Sequence, residues 1–204
     1  MFAALMCLCL AGSIGLSRGI PPCYGYVKGV ATSGASCQTA KLHKLTYCGH
    51  IASLHIAESD YQRMAKYKVK IGIVAHNLCM DAAVIAAIIS RESHAGANLI
   101  NGEDPDKRLY GLMQLNKLWH PPLGAWDSEE HISQATEFLI TMINTIKAKF
   151  PNWTVNQQLK GGIAAYNAGP ANILSYADVD KHTSGHDYSN DVIARAIFFK
   201  AYGY

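Results

Sequence analysis

The chain has 204 residues, of which 50% are hydrophobic and only 16% charged, a balance that excludes an intrinsically disordered chain and can fill a sizeable core. That length fits one domain. The formal charge of +3 is a mild bias toward anionic surfaces, and no Lys/Arg run of the nucleic-acid-binding type accompanies it.

Residues 1–19 read as a secretory signal peptide. The stretch 2–10 (FAALMCLCL) is an apolar h-region, and Ala11, Gly12, Ser13 and Gly15 supply small residues for cleavage somewhere between Gly12 and Gly19. The n-region has no Lys or Arg, and the apolar run is too short to span a bilayer, so secretion without membrane insertion is expected. The mature domain is then residues 20–204, and losing Arg18 leaves a charge of about +2. Cys7 and Cys9 leave with the signal, while Cys23, Cys37, Cys48 and Cys79 remain. An even set in an oxidising compartment implies two disulfides, with three connectivities open. Cys37 and Cys48 are close enough to pin a local loop, in which case Cys23–Cys79 would tie the N-terminal segment down; each bridge contributes roughly 2–4 kcal/mol. Without a C-x-x-C pair these cysteines make a poor zinc site, and no metal or cofactor is expected.

Residues 21–49, rich in Gly, Ser, Thr and Pro, predict an irregular disulfide-held segment. Over 50–77 the pattern turns helical, with Ile51, Leu54 and His55 on one piece and Tyr61, Met64, Tyr67 and Ile71 on the next. Lys66, Lys68 and Lys70 read as a solvated face. Residues 82–89 are all Ala, Val or Ile, and a helix apolar on every side belongs inside a core. Asp81 is its candidate N-cap and Gly96 its candidate stop. Glu92 sits at the C-terminal end, where loss of water and the helix dipole both disfavour the ionised form. Arg91, adjacent in sequence, points to another face. A carboxyl held protonated near neutrality is what a general acid requires; a water-satisfied glutamate at a frayed end is the plainer alternative.

Residues 97–108, full of Asn, Gly, Asp and Pro, cannot be a long helix, and 109–115 predict a small hairpin plus a turn of helix. Asp127-Ser128-Glu129-Glu130 has capping-box spacing and starts a helix to about Phe150, striped by Ile132, Ala135, Leu139, Met142, Ile143 and Ile146. Thr154 caps another helix carrying Leu159, Ile163 and Tyr166; Gly161-Gly162 inside it costs about 2 kcal/mol of propensity, which points to a close backbone contact. Residues 176–188 read as a loop, with His182 and His186 as solvated histidines rather than metal ligands, and 190–201 as the last helix. Asn152-Trp153-Thr154 is an N-glycosylation sequon. The fold class is mainly α: one helical domain around a buried central helix, with a small β-hairpin.

Three segments follow one another in order: Arg91-Glu92-Ser93-His94-Ala95-Gly96, Gly111-Leu112-Met113-Gln114 and Ala165-Tyr166-Asn167-Ala168-Gly169. In this order and with these gaps they resemble goose-type lysozyme, with a more distant similarity to lytic transglycosylases. The resemblance spans essentially the whole mature chain, including CYG at Cys23, GASC at Cys37, YCG at Cys48, QLKGG at 158–162 and NDV-ARA at 190–196. It implies an α+β lysozyme-like fold and hydrolysis of the β-1,4 bond between N-acetylmuramic acid and N-acetylglucosamine in bacterial peptidoglycan. It also implies pairing of Cys23 with Cys79 and of Cys37 with Cys48. Glu92 maps onto the family's general acid, and Gln114, His120, Tyr166, Asn167 and Tyr188 onto residues lining the sugar cleft. For Tyr166 a core tyrosine with a satisfied hydroxyl is nearly as good a reading. Peptidoglycan and chitooligosaccharides are the partners implied, for a secreted monomer.

The chain departs from the family's pattern at the second carboxylate. Inverting glycosidases use one to activate water, about 6.5–9.5 Å from the acid. One family aspartate, commonly within G-W-G-D-R-G-N-G, falls at Pro105 here, and the other at Asn116, whose amide orients water but cannot take its proton. Asp104 and Asp106 flank the lost position and are the candidate bases, ahead of Glu103; they serve equally as turn residues beside Pro105. Two further readings stay open: a peptidoglycan- or chitooligosaccharide-binding protein with weak or lost hydrolysis, and transglycosylase-like chemistry needing a single acid/base.

Overall fold

The computed structural model describes residues 23–204, so the signal-peptide reading and residues 20–22 lie outside it. Seven α-helices and one two-stranded hairpin order these residues: α1 (Cys37–Leu42), α2 (His50–Met64), α3 (Lys68–Asn77), α4 (Ala82–Ser93), β1 (Leu109–Tyr110), β2 (Leu115–Asn116), α5 (Glu129–Lys149), α6 (Val155–Ala168) and α7 (Tyr188–Ala201). The expected class, mainly α with a small β region, is what forms. The strands pair antiparallel with Leu109 opposite Asn116 and Tyr110 opposite Leu115.

Helix α4 is the axis of the core. Residues 83–89 are all 0% exposed, because α7, α3 and α2 cover its sides. Asp81 caps it, Oδ1 accepting the N–H of Ala83 at 3.1 Å. The helix stops earlier than Gly96: His94 takes the left-handed conformation with φ 51°, held by its ring nitrogen 3.1 Å from Asp60 Oδ2. A side-chain anchor here replaces the glycine that such a position usually takes.

One element, three boundaries and one face differ from the sequence reading. Helix α1 forms inside the 21–49 segment expected to be irregular, because Ser36 Oγ caps it by accepting the N–H of Thr39 at 3.1 Å, and the early end of α4 is the first of the boundaries. Ser128 rather than Asp127 caps α5, its Oγ accepting the N–H of His131 at 3.2 Å, and α7 begins at Tyr188. On α2 the inward face is Ala52, Ser53, Ile56, Ala57, Asp60 and Met64, whereas Ile51 is 68% exposed. The reason is polar: Ser53 Oγ donates to Asp191 on α7 at 2.7 Å, and Ser90 Oγ on α4 donates to Asp60 at 2.7 Å. Hydrogen bonds to buried charges outweigh the burial of one isoleucine. The α5 stripe is buried as expected, and Thr154 and Gln157 form a reciprocal capping box on α6. A Cβ on Gly162 would lie 2.7 Å from Ile143 Cα, so the glycine pair is where α5 and α6 touch backbone to backbone. Cys23–Cys79 and Cys37–Cys48 are the disulfides formed, with Cα separations of 5.5 and 4.8 Å.

Candidate active site

The three sequence segments converge because hydrogen bonds strap each to the next. Ser93 Oγ, on the last turn of α4, donates to the Leu112 carbonyl at 2.8 Å. Tyr166 Oη, on α6, donates to the Met113 carbonyl at 2.7 Å. The glycine of G-L-M-Q is dictated by the same packing. Gly111 has φ 83°, and a Cβ there would fall 1.9 Å from His131 Cδ2. His131 is buried, with its Nε2 3.0 Å from the Tyr110 carbonyl, so α5 clamps the hairpin against the end of α4.

These contacts frame a cleft of about 610 Å³, with Glu92 in its wall. Tyr188 Oη donates to Glu92 Oε1 from behind. Part of Glu92 faces the cleft, yet enough protein surrounds the carboxyl that lost hydration pushes it up to about 7. That rise prevails over the downward pull of the Tyr188 hydroxyl and of the Arg91 and Arg195 charges. Burial, followed by the charge of Glu92, also raises the phenols of Tyr166 and Tyr188 well above the ordinary tyrosine range, so both stay neutral hydrogen-bond donors.

On the opposite side of the same helical turn lies a network of paired charges. Arg91 Nη1 donates to Asp191 Oδ2 at 2.5 Å and Nη2 to Asp187 Oδ1 at 3.0 Å. Arg195, fully buried, reaches Asp191 Oδ2 at 2.6 Å and donates to Ser90 Oγ at 3.0 Å. Burial favours protonation of Asp191, but Arg195 and Arg91 outweigh it and bring its carboxyl down to about 2. The network joins α2, α4 and α7 and fixes the helix end that carries Glu92.

Gln114, Asn116, His120, Tyr166 and Asn167 all line the cleft with Glu92. Gln114 is 8% exposed, φ 52°, with Nε2 donating to the Gly111 carbonyl at 2.7 Å. Asn167 Oδ1 accepts the Ser184 N–H at 2.9 Å, and the His120 ring lies 4.5 Å from that of Phe138. Tyr188 is placed differently from the expectation: it is 1% exposed and supports Glu92 from the core, since the α7 start packs inward.

Asp104 and Asp106 also lie elsewhere than expected, outside the cleft lining. Asp104 Oδ1 accepts the N–H groups of Arg108 and Leu109, both at 2.7 Å, closing the turn that Pro105 opens. Asp106 is exposed and paired with Arg108 at 2.7 Å. Glu103 is held by Lys117 at 2.6 Å. Among the described residues, Glu92 is the one carboxylate in the cleft wall. Sequence reasoning missed Phe138 and Trp119, which also line it. Phe138 sits three residues after Ala135 and four before Met142, beside the α5 stripe, so helical spacing could have found it. Asn152 is exposed in the turn between α5 and α6, and its sequon threonine, Thr154, is the α6 cap.

Comparison with known proteins agrees with this geometry. The family described as Lysozyme g matches residues 24–203. The chain is 52% identical to Lysozyme g of Struthio camelus over 204 residues, covering all of both chains. It is 52% identical to Lysozyme g of Gallus gallus over 204 residues, all of this chain and 97% of that one. Against Lysozyme g of Cyprinus carpio it is 52% identical over 181 residues, 89% of this chain and 98% of the other. A cleft with one raised carboxyl in its wall and a match along almost the whole chain lead to the same place: this chain belongs to the lysozyme g family and is a glycoside hydrolase.

Proposed function

We propose that the chain is a secreted, monomeric lysozyme that cleaves the β-1,4 bond between N-acetylmuramic acid and N-acetylglucosamine, with Glu92 as general acid. The observation that carries this is the Glu92 carboxyl, raised to about 7 and hydrogen-bonded to Tyr188 in the wall of a cleft. Near neutrality a large fraction of it holds a proton. As the C1–O bond breaks, Glu92 gives that proton to the departing oxygen, and water adds to the oxocarbenium-like carbon. Neutral amides and phenols from Gln114, Asn167 and Tyr166 suit N-acetyl and hydroxyl groups, as in chitooligosaccharides. Two disulfides suit an oxidising, extracellular setting, and no helix among the described residues is long and apolar enough to cross a membrane.

Water activation from the opposite face of the sugar is assigned to Asp104 or Asp106, giving inversion by a single displacement. Each must first leave its partners in the 103–108 turn. Release of reducing ends from peptidoglycan by the wild type, lost in Glu92→Gln and reduced in the Asp104→Asn/Asp106→Asn double variant, is the expected result. Undiminished turnover in the double variant removes the base assignment and leaves the acid intact.

One observation favours a second reading: the single carboxylate in the cleft wall suits binding with weak hydrolysis. Tight binding of chitooligosaccharides with no reducing ends released would establish it.

A further inference from the structure

The cleft holds one group that the acid chemistry leaves unused. In the turn after β2, Asn116 Oδ1 accepts the N–H of Leu118 at 2.9 Å. The Asn116 carbonyl accepts from Trp119 N at 3.2 Å and His120 N at 2.9 Å, and Lys117 N donates to the Arg108 carbonyl at 3.0 Å. The ion pair of Lys117 with Glu103 at 2.6 Å adds a tether. What this fixed turn holds out is an indole. Trp119 is 74% exposed although it lines the same cleft as Glu92. The other two tryptophans are packed: Trp153 stacks on Phe150 at 4.1 Å, and Trp126 lies over Gly96 and Gly102. Inward from Trp119, the His120 and Phe138 rings are 4.5 Å apart and those of Phe138 and Tyr166 5.2 Å apart. An aromatic file thus runs from the rim of the cleft to the wall that contains the acid.

A large apolar face kept in water on a rigid support loses free energy unless something covers it. A hexosamine ring has one face dominated by C–H groups, the complement of an indole, and a glycan seated at Glu92 extends along this file. We propose that Trp119 is a specificity-determining residue that contacts substrate, stacking on an N-acetylhexosamine ring at the outer end of the cleft. The inference rests on the lysozyme reading above. It also gives Asn116 a task that suits an amide: its oxygen caps the turn that presents the indole.

The test uses the N-acetylglucosamine hexamer and the full mature protein. In a Glu92→Gln background, where turnover is blocked, the hexamer should shift or quench tryptophan emission, and adding Trp119→Phe should remove most of that signal. In the otherwise wild-type enzyme, Trp119→Ala should raise KM for the hexamer about three- to ten-fold, as expected for loss of one aromatic stack, with kcat within about two-fold and Trp119→Tyr recovering most of the loss. Far-UV circular dichroism checks that the variants fold. An emission change that survives Trp119→Phe, or an unaltered KM in Trp119→Ala, overturns the inference. So does a blue shift with anionic phospholipid vesicles and none with hexamer, which would make the indole a lipid contact. A wild type that binds hexamer through Trp119 but releases no reducing ends upholds the inference and overturns the reaction instead.

Discussion

Two carboxylates at the same end of α4, Glu92 on the helix itself and Asp191 on α7 beside it, behave in opposite ways. Asp191 is 0% exposed and is brought down to about 2; Glu92 is partly open to the cleft and is raised to about 7. Burial pushes both upward. The difference is counter-charge: Asp191 lies between Arg91 and Arg195, with Ser53 donating a further hydrogen bond, whereas Glu92 receives one neutral phenol. Adjacent residues, Arg91 and Glu92, are thereby sorted by the helix into a charged, load-sharing interior and a poorly hydrated cleft wall. Burial beside paired cations does not keep a carboxyl protonated near neutrality; burial without them does.

The sharpest way to break this contrast is to remove the proton at Glu92. Glu92→Gln should lower the rate of peptidoglycan hydrolysis by about 10²–10⁴-fold, the usual span for losing a general acid, measured as reducing ends released. The same substitution should stabilise the fold on one side of neutrality only. A carboxyl whose folded value is about 7 against an ordinary 4.5 keeps its proton in the folded state through that window, so stability falls as pH rises across it. Glu92→Gln should therefore melt higher than wild type at pH 8 and with it at pH 4. Equal melting at both would mean that Glu92 titrates like an open glutamate.

Arg195→Met should cost about 3 kcal/mol in denaturant unfolding, because it removes the fully buried one of the two cations that compensate Asp191 and leaves Arg91 alone to do so. A loss under 1 kcal/mol would show the network to be dispensable. For Asp191 the sign is reversed: its stabilisation is complete above the ordinary aspartate range and is lost as pH falls toward 2. Next in size, Gly162→Ala should destabilise by about 1–3 kcal/mol despite better helix propensity, since the new methyl meets Ile143. The smallest effect is Tyr188→Phe. Removing the hydroxyl that holds Glu92 down should move the alkaline limb of activity to higher pH than in the wild type. A limb that stays in place would remove Tyr188 from the acid's environment.

Much of the site is legible in linear sequence because it is built from short segments with local rules. The apolar run 82–89 dictates a buried rod, Asp81 a cap, and the α5 stripe a helix–helix face. Arg91 and Glu92 diverge for the simple reason that neighbours on a helix do. The α2 face misleads for an equally physical reason. Hydrophobic spacing selects Ile51, while the folded chain turns Asp60 inward to the Ser90 hydroxyl of α4 and Ser53 to the Asp191 carboxylate of α7, partners that no local window contains.

What the sequence by itself determined is the helices α2–α7 and the hairpin, since each follows from residue type and spacing within one segment; the short helix α1 is not among them. The disulfide pairing and Glu92 as the candidate acid follow from family resemblance. Only the tertiary structure decided that Tyr188 stands behind Glu92 rather than in the cleft. It alone spends Asp104 on closing its turn and holds Trp119 out at the rim. Those outcomes depend on hydrogen bonds and packing between distant segments, where a carboxylate or a ring goes to whichever partner the fold brings within reach.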